Sequence, residues 1–301
     1  MPSQAAPTEP LVTVGLPVYN SERYLSQSIE SLLGQTFREF VLVISDNAST
    51  DRTPEICLKY ARDDSRVRYY RNERNIGLSA NFNRVFQLAA SKYLKWSSSD
   101  DYWAADMLAD AVSVMESDPT VVLCYPKTTL VAETGGGLTP YEDRLHLMEE
   151  DPVARYLRLL ENIRLVHQHQ GLIRTDAIRR TSLLGTHTGS DINFLAELCL
   201  YGKFFEVPKY QYFRRFHPSS SSWERGSERH QALRYHAKGV KRIPFSVWRY
   251  HLSFIRGVLR SPHRTAQKAR MLRELLKRMY WDGRSLVIEP FQDLVALLRS
   301  G

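Results

Sequence analysis

The sequence predicts an α/β protein in which a mostly parallel sheet is flanked by helices and followed by a basic helical extension. Strand and helix patterns alternate with short connections over residues 11–125, the order that parallel sheets covered by helices require. The first two predicted strands are continuous apolar runs, which are typical of strands buried on both faces. From about residue 228 the pattern is helical and rich in Lys and Arg.

The alternation begins with the strand LVTVGLPVY at residues 11–19, and a helix follows whose apolar side chains recur at helical spacing. Ser21 is expected to cap that helix, because a serine oxygen can accept a hydrogen bond from a free N–H group of the first turn. Thr53-Pro54-Glu55 begins a second helix with proline in its first turn. The other predicted strands are FVLVISD, VRYY, KYLKW and VVLCY, and helices separate the last three of them.

The second half of the chain is less regular. The glycine-rich stretch VAETGGGLTPYED predicts a hairpin tip or a flap, and helices are expected over residues 151–164 and 190–201. FFEV and YQYFRRF are two further predicted strands. The histidines of HQHQ, residues 167–170, have strand spacing, and we expect them to line a pocket rather than to bind a metal.

The composition excludes several classes of protein. No run of about 18 apolar residues is present, so no membrane-spanning helix is predicted. The N-terminal stretch MPSQAAPTEP is polar and proline-rich and does not resemble a signal peptide. Cys57, Cys124 and Cys199 are too far apart for a paired zinc motif and argue against a disulfide framework. We therefore expect a cytoplasmic protein in a reducing environment.

Positive charge is concentrated towards the C-terminal end. Residues 225–284 contain 16 Lys and Arg against Glu228, Glu274 and Asp282, a local balance of +13 in a chain of +8. Aromatic residues, Trp281 among them, lie in or beside this segment. Such a mixture suits an anionic membrane surface or nucleic acid, and a solvated helix face is the structural alternative. We expect peripheral contact with the inner face of the cell membrane, and we do not expect nucleic acid.

Polar or acidic side chains follow each of the first four predicted strands. In open parallel sheets ligands bind at the carboxyl ends of the strands, so these side chains are expected to converge on one site. Asn and Asp also serve as simple turn formers, which is the structural alternative. The residues are Pro17, Tyr19, Asn20 and Glu22 after the first strand, Asp46 after the second, Asn75 and Gly77 after the third, and Asp100 and Asp101 after the fourth.

The aspartate pair predicts a cation. Neither of the common glycine-rich phosphate-binding motifs, GxGxxG or GxxxxGK(S/T), lies near these strands. A nucleoside diphosphate can still bind where a divalent cation neutralises its charge, and Asp100 with Asp101 offers hard oxygen ligands. A cation would also relieve the repulsion between the two neighbouring carboxylates. The sequence therefore predicts a Mn²⁺ or Mg²⁺ site at the end of the fourth strand.

Four stretches of the first half together resemble the signatures of family-2 glycosyltransferases with the GT-A fold. They are VTVGLPVYNSERYLSQSIESLLGQTF, VISDNASTDRT, RNIGLSANFNRVF and SSSDDYWAADML, and a looser similarity continues to about residue 222. The resemblance implies a nucleotide pocket lined by Pro17, Tyr19 and Glu22, with Tyr19 near the base. It also implies that Asp46 accepts a hydrogen bond from the base, and that the aspartate pair binds the ribose and, through metal, the diphosphate.

One position departs from the family pattern. The family often has DxDD at the fourth motif, and Ser98 stands here in place of the first Asp. The resemblance then implies that the metal depends on Asp101, with Asp100 near the ribose or near a metal-bound water.

The second half resembles the family at two more places. In inverting members a carboxylate near the start of a helix deprotonates the acceptor hydroxyl, and Asp191 matches that position. Its structural alternative is an N-cap. YFRRFHPSSSS resembles the Arg-x-His-x-x-Ser element of the family. This likeness implies that His217 is a metal ligand or phosphate contact, and that Arg214 or Arg215 faces the leaving diphosphate.

The resemblance thus implies an inverting transferase that moves a sugar to a hydroxyl of an acceptor glycan, free or lipid-linked, in cell-surface polysaccharide or glycolipid synthesis. A UDP-sugar is the first choice of donor and a GDP- or dTDP-sugar the second. The alternatives are a sugar-nucleotide pyrophosphorylase, whose glycine-rich basic loop PVYNSERY does not provide, and a non-catalytic binder of a membrane surface or nucleic acid. The expected divisions are a polar tail (1–10), a GT-A domain (11–222) with a nucleotide-sugar half (11–125) and an acceptor half (126–222), and a helical basic region (223–301).

Overall fold

The first half of the chain folds into alternating strands and helices, as the sequence predicts. The structure is a computed structural model, and it describes residues 9–133, 136–217 and 244–298. The elements of this half are β1 (Val12–Val18), α1 (Leu25–Leu33), β2 (Phe40–Asp46), α2 (Thr53–Asp63), β3 (Val67–Arg71), α3 (Leu78–Leu88), β4 (Tyr93–Trp96), β5 (Tyr102–Trp103), α4 (Met107–Ser117) and β6 (Val121–Ala132).

The second half contributes shorter strands and the remaining helices. Its strands are β7 (Thr139–Tyr141), β8 (Leu172–Arg174) and β9 (Lys203–Phe216). Its helices are α5 (Pro152–Asn162), a 3-10 helix (His167–Gln170), α6 (Thr175–Arg179), α7 (Ser190–Cys199), α8 (Ser246–Arg260), α9 (Thr265–Trp281) and α10 (Gly283–Leu298). β7 pairs antiparallel with β6, so the predicted hairpin is confirmed.

The described strands form one nine-stranded sheet in the order β3-β2-β1-β4-β8-β6-β9-β5, with β7 on β6. β1 to β4 run parallel to one another, so their carboxyl ends meet at one edge. β8 is antiparallel to both of its neighbours, and β5 is antiparallel to β9. The sheet is therefore mostly parallel on the side that carries the first three motifs.

Apolar side chains cover both faces of the sheet. One cluster lies under α1, α2 and α4, and the other lies under α3, α5 and α7. Gly15 of β1 shows how closely α3 approaches: a Cβ at this position would lie 2.0 Å from Val85 Cγ1. These two layers bury the sheet on both sides, which explains why the early strands are uninterrupted apolar runs.

Three local predictions were wrong. HQHQ forms a 3-10 helix rather than a strand, because its N–H groups bond backward along the chain, as Gly171 N–H does to the Gln168 carbonyl oxygen at 2.9 Å, instead of to a neighbouring strand. FFEV and YQYFRRF form one continuous strand, β9, instead of two. Ser21 does not cap α1, which begins at Leu25, and its hydroxyl contacts the Tyr19 carbonyl oxygen instead.

The C-terminal helices share the core of the second half. Phe254 and Val258 of α8 and Met271 and Leu275 of α9 are buried in the cluster that α5 and α7 cover. The expected boundary after residue 222 lies outside the described residues. The burial of these four side chains joins α8 and α9 to the acceptor half by packing.

Among the helices that the structure describes, none is long and apolar enough to cross a membrane.

The shortest strand, β5, connects the two halves of the site. Trp103 stacks on Tyr212 of β9 with ring centroids 4.2 Å apart, and Tyr102 stacks on Phe213 at 4.7 Å. The Tyr212 hydroxyl donates a hydrogen bond to Asp101 Oδ2, directly before β5. The pairing therefore combines two aromatic stacks with a hydrogen bond to a carboxylate that is only 5% exposed.

Removing that hydroxyl should destabilise the protein. In Tyr212→Phe the stack on Trp103 stays but Asp101 loses a buried donor, so we expect the free energy of unfolding to fall by about 1–3 kcal/mol. Tyr102→Phe is the matched control, because no hydrogen bond to the Tyr102 hydroxyl occurs in the described ranges. Urea unfolding of both variants measures the difference. Equal stability of the two variants would contradict the assignment.

Candidate active site

Asp46 ends β2 with both carboxylate oxygens occupied by neighbours. Oδ2 accepts hydrogen bonds from the Tyr69 hydroxyl at 2.7 Å and from Arg71 Nη1 at 3.0 Å, and Oδ1 accepts one from the Ser49 backbone N–H at 2.9 Å. The parallel register places Asp46 directly beside Arg71 of β3. The Arg71 side chain is 44% exposed, so this basic group rather than the carboxylate faces outward.

A buried amide network supports the turn that holds Asn75 and Gly77. Asn47 Nδ2 donates to Asn75 Oδ1 at 2.9 Å and to the Gly77 carbonyl oxygen at 3.3 Å. Asn72 links Asn47 to Asn81 of α3, with donor–acceptor distances of 3.0 and 3.1 Å. The network holds Gly77 at a φ of 88°, where a side chain would be strained. Asn75 and Gly77 therefore shape the pocket through the backbone.

Side chains of the loop after β1 also hold the neighbouring backbone in place. Asn20 Oδ1 accepts a hydrogen bond from the Thr50 backbone N–H at 2.8 Å, and Glu22 Oε2 accepts one from the Arg52 N–H at 2.9 Å. Both oxygens thus fix the loop that follows β2. Pro17 is buried within β1, whereas Tyr19 is 38% exposed. Of the residues predicted after the first strand, Tyr19, Asn20 and Glu22 are exposed and Pro17 is buried.

The two adjacent aspartates lie in different surroundings. Asp101 Oδ1 accepts a hydrogen bond from the Arg215 backbone N–H at 2.9 Å, and Tyr212 holds the other oxygen. Asp100 is about a third exposed, and its Oδ2 lies 3.0 Å from His217 Nε2. Burial, together with the charge of Asp100, raises the pKa of Asp101 to about 7. Asp101 is thus the internal member of the pair and Asp100 the accessible one.

Lys95 on β4 is a buried cation that the sequence analysis did not identify. Its side chain is 0% exposed, and Nζ lies 3.2 Å from the centre of the Trp103 ring and 3.2 Å from the Trp96 carbonyl oxygen. Burial lowers the pKa of this amine, and the nearby charge of Asp101 opposes that shift. A lysine inside a predicted buried strand was the available signal, because lysine is rarely buried without a partner.

β9 delivers the basic residues to the aspartate pair. Arg215 is buried: its Nε donates to the Asp100 carbonyl oxygen at 3.1 Å, and its guanidinium carbon lies 4.5 Å from the centre of the Tyr24 ring. Arg214 lies on the other side of the strand, with Nη1 2.7 Å from His167 Nε2. The structure therefore brings Asp100, Asp101, Arg215 and His217 into direct contact. Arg214 contacts His167 instead, and it shares a face of β9 with Tyr212, whose hydroxyl holds Asp101.

Asp191 lies in the first turn of α7, as the sequence analysis expects, but it is not the N-cap. That position is Gly189, with a φ of 78°, and no side chain caps the helix. Asp191 Oδ1 accepts a hydrogen bond from the Ile192 N–H at 2.9 Å. Burial raises the pKa of Asp191, and the positive charges of His187 and Arg214 oppose the shift. A carboxylate with a raised pKa is suited to accept a proton.

Two groups of predicted residues meet at the sheet edge. Tyr19, Asn20, Glu22, Asp46, Asn75 and Gly77 follow β1 to β3, whereas Asp100, Asp101, Arg215 and His217 surround the ends of β4 and β9. A hydrogen bond of 2.8 Å between the hydroxyls of Ser99 and Ser21 joins the two groups. The convergence expected from the strand ends is therefore present in the fold.

The donors at Asp100 and His217 fit a divalent cation. The described residues contain no cluster of three or more His, Cys, Asp or Glu side chains able to hold a metal ion. Mg²⁺ and similar ions, however, commonly use one or two carboxylates together with phosphate oxygens and water. Asp100 and His217 offer an oxygen and a nitrogen 3.0 Å apart, and Asp100 is open to solvent. They would supply the protein's part of such a set.

The chain is similar to named glycosyltransferases over part of its length. It is 29% identical over 141 residues to the putative teichuronic acid biosynthesis glycosyltransferase TuaG of Bacillus subtilis, a match that covers 47% of this chain and 54% of TuaG. The chain spans about half the length of the first curated relatives that it matches.

Two solved structures share the fold. S. aureus TarS 1-349 in complex with UDP has a TM-score of 0.65 at 20% identity, covering 91% of this chain and 73% of that one. The mannosyltransferase PcManGT from Pyrobaculum calidifontis, in complex with GDP-Man and Mn²⁺, has a TM-score of 0.52 at 16% identity, covering 96% and 86%. Identities this low show the fold alone, and it is the GT-A fold that the motifs imply.

The family profile described as "Glycosyl transferase family 2" matches residues 13–181. The matched span is more than half of the chain, and it contains the residues of all four strand-end motifs. The chain belongs to glycosyl transferase family 2.

Proposed function

We propose that the protein is an inverting glycosyltransferase that moves a sugar from a nucleoside-diphosphate sugar to a hydroxyl of an acceptor glycan. The observation that carries the proposal is the Asp100–His217 pair at the end of β4, where Asp100 is open to solvent. The charge of Arg214 acts on both Asp101 and Asp191, in the first turn of α7. A diphosphate bound at this pair would direct its sugar towards Asp191. Family membership and the shared fold support the same reaction.

Asp191 is the proposed base. It removes the proton from the acceptor hydroxyl, whose oxygen attacks the anomeric carbon on the face opposite the diphosphate. The bond between the anomeric carbon and the diphosphate oxygen breaks, and its electron pair leaves with the diphosphate. The proton remains on Asp191. The raised pKa of Asp191, caused by burial, brings its basicity closer to that required near neutral pH.

Asp100 and His217 are the proposed ligands of Mn²⁺ or Mg²⁺. The resemblance to the family implies this role first for Asp101, whose oxygens are instead engaged by Tyr212 and the Arg215 N–H. We therefore assign Asp101 to positioning the loop, and Arg214 and Arg215 to the phosphate side. The bound cation would neutralise charge on the diphosphate.

A UDP-sugar is the proposed donor, with GDP- and dTDP-sugars as second choices. Tyr19 would lie against the base, and the Asp46–Arg71 pair would contact its edge. TarS in complex with UDP or UDP-GlcNAc and PcManGT in complex with GDP-Man have the same fold and support a donor of this class. The name of TuaG supports a place in cell-surface polysaccharide synthesis, for which a glycan, free or lipid-linked, is the proposed acceptor.

Metal-dependent nucleotide binding tests the donor side. With Mn²⁺ present, UDP should raise the melting temperature more than GDP, dTDP or CDP. Asp100→Asn should weaken UDP binding by about 10- to 100-fold, as the loss of metal-site groups commonly does. Asp176→Asn is the matched control, because Asp176 lies on α6 with 89% of its side chain exposed. Unchanged UDP affinity in EDTA would contradict the metal assignment.

Loss of the base tests the chemical step. Asp191→Asn keeps the shape of the side chain but cannot take a proton, so kcat should fall by about 10²- to 10⁴-fold while UDP affinity stays. In the wild type kcat/KM should decrease as pH falls through the raised pKa of Asp191, because the protonated acid cannot act as a base. If Asp191→Asn kept more than about a third of the wild-type kcat, against the loss expected for a general base, the assignment of Asp191 as the base would be wrong. Glu197, the next acid on α7, would then be the alternative base, and its Oε2 accepts a hydrogen bond from the Ser182 N–H at 2.7 Å.

We also propose that α9 and α10 meet an anionic membrane surface, where a lipid-linked acceptor would lie. Tyr280 and Trp281 at the end of α9 are each 81% exposed, and Phe291 of α10 is 68% exposed. A cavity of about 580 Å³ on α9 is lined by apolar residues together with Arg273 and Lys277. Exposed aromatics beside basic side chains match the interfacial region of an anionic bilayer.

Vesicle binding tests the surface. The protein should sediment with phosphatidylglycerol vesicles and not with phosphatidylcholine vesicles, and the binding should weaken with salt, since each Lys or Arg near an anionic surface contributes about 1 kcal/mol. Trp281→Ser should reduce binding, whereas Leu58→Ser, at a 46% exposed apolar residue of α2, should not. Equal binding to both vesicles, or self-association through the same face, would contradict the proposal. Residues 225–243 of the basic segment lie outside the described ranges.

A further inference from the structure

A buried carboxylate and a buried histidine stand directly behind Arg214. Asp143 follows β7, His167 begins the 3-10 helix, and their side chains are only 1% and 2% exposed. His167 Nδ1 lies 3.0 and 3.1 Å from the two carboxylate oxygens of Asp143. Thr128 Oγ1 of β6 approaches the same carboxylate at 3.4 Å. The pair is therefore fixed from three separate segments of the acceptor half.

The chemistry of the partners assigns the histidine tautomer. An arginine side chain can only donate hydrogen bonds, so His167 Nε2, 2.7 Å from Arg214 Nη1, must be an unprotonated acceptor. Nδ1 then carries the hydrogen and donates it to Asp143. Burial lowers the pKa of His167, which favours this neutral ring. The edges of Tyr141 and Tyr212 contact the ring, with centroids 5.0 and 5.8 Å away, and restrict its rotation.

Arg214 lies on the face of β9 that reaches the carboxylate pair. It stands two residues after Tyr212 in a continuous stretch of strand, so the two side chains share a face, and the Tyr212 hydroxyl holds Asp101. The charge of Arg214 also opposes the raised pKa of Asp101 and of Asp191. A diphosphate held at Asp100 and His217 would bring its leaving oxygen to this side of β9.

We propose that Asp143 and His167 are positioning residues that hold the Arg214 guanidinium for the departing diphosphate. The inference rests on the proposed function. When the bond to the anomeric carbon breaks, the electron pair stays on the diphosphate oxygen and adds one negative charge there. A donor that is already oriented stabilises such a developing charge without reorganising. Asp143 fixes the tautomer of His167, and His167 accepts a hydrogen bond from Nη1 of the long Arg214 side chain and so orients it.

Two substitutions of the same histidine separate positioning from simple burial. His167→Asn keeps an amide that can donate to Asp143 but removes the acceptor for Arg214. His167→Gln places an amide oxygen near the position of Nε2 and can still accept from Arg214. His167→Asn should lower kcat by about 10- to 100-fold with little change in KM, as misplacement of a charged group does, and His167→Gln should recover most of the loss. Asp143→Asn should give an intermediate loss.

The binding of product and donor gives a readout that does not require turnover. UDP carries the additional charge that the diphosphate acquires on leaving, and UDP-GlcNAc does not. Titration calorimetry should therefore show that His167→Asn weakens the binding of UDP more than the binding of UDP-GlcNAc. The ratio of the two affinities should thus be smaller in the variant than in the wild type. An unchanged preference would overturn the proposal, because a purely structural defect would weaken both ligands alike.

A double-mutant cycle tests whether the effect passes through Arg214. In an Arg214→Ala background, His167→Asn should cost little more, because the group that it positions is already absent. His169→Asn is the matched control: its ring is also buried but stacks on Trp96, with centroids 5.0 Å apart. His169→Asn should change kcat by the same factor in the wild-type and Arg214→Ala backgrounds. If His167→Asn also lowered kcat by the same factor with and without Arg214, the proposal would be overturned.

The outcomes keep this inference separate from the proposed function. A wild-type protein that binds no nucleotide and transfers no sugar would contradict the function itself. A wild-type protein that binds UDP and releases it from UDP-GlcNAc, while His167→Asn matches the wild type in kcat, would contradict only the positioning role. Thermal unfolding of each variant checks that the kcat values being compared are those of folded protein. If His167→Asn does not fold, Asp143→Asn decides, and wild-type kcat in that variant would overturn the proposal.

Discussion

The short pairing of β5 with β9 is the constraint on which the site depends. Only two residues of β5 take part, yet each stacks on a ring of β9, and Asp101 beside them is tied to Tyr212 and to the Arg215 N–H. Such aromatic pairs contribute about 0.5–1.5 kcal/mol each beyond their burial. The pairing joins segments more than 100 residues apart. It carries the basic end of β9 to the end of β4 and so places Arg215 and His217 beside the aspartate pair.

Burial divides the two neighbouring carboxylates into different roles. Asp101 is enclosed with Lys95 beneath Trp103, and its charge is disfavoured by removal from water. Asp100 faces solvent and His217, so it can exchange partners when a ligand arrives. Adjacent acids that experience different environments need not repel each other as equals. Asp101 is thus part of the framework, and Asp100 is the carboxylate that is accessible to a ligand.

The sequence predicted what depends on local pattern and missed what depends on distant neighbours. The strand ends followed from periodicity, and the place of Asp191 at the start of a helix followed from the resemblance to the family. The strands and that helix are confirmed as elements. The 3-10 helix at HQHQ could not be recognised, because the alternation of His and Gln fits a strand and nothing in the four residues indicates the turn that Gly171 N–H closes on the Gln168 carbonyl oxygen. The partners of His167 come from residues 143 and 214, far away in the chain, and no short window contains that contact.

The C-terminal helices connect the proposed membrane surface to the proposed base. α8 packs on α7: Asn193 Nδ2 donates to the Tyr250 carbonyl oxygen at 3.0 Å, and His187 Nε2 lies 2.7 Å from Asn193 Oδ1. Gly189, just before Asp191, faces the Tyr250 ring so closely that a Cβ would lie 2.8 Å from it. The start of α7 is therefore shaped by α8, which packs in turn on α9. A surface that docks α9 would act on the helix that positions Asp191, and the basic region is then part of the acceptor side rather than an appendage.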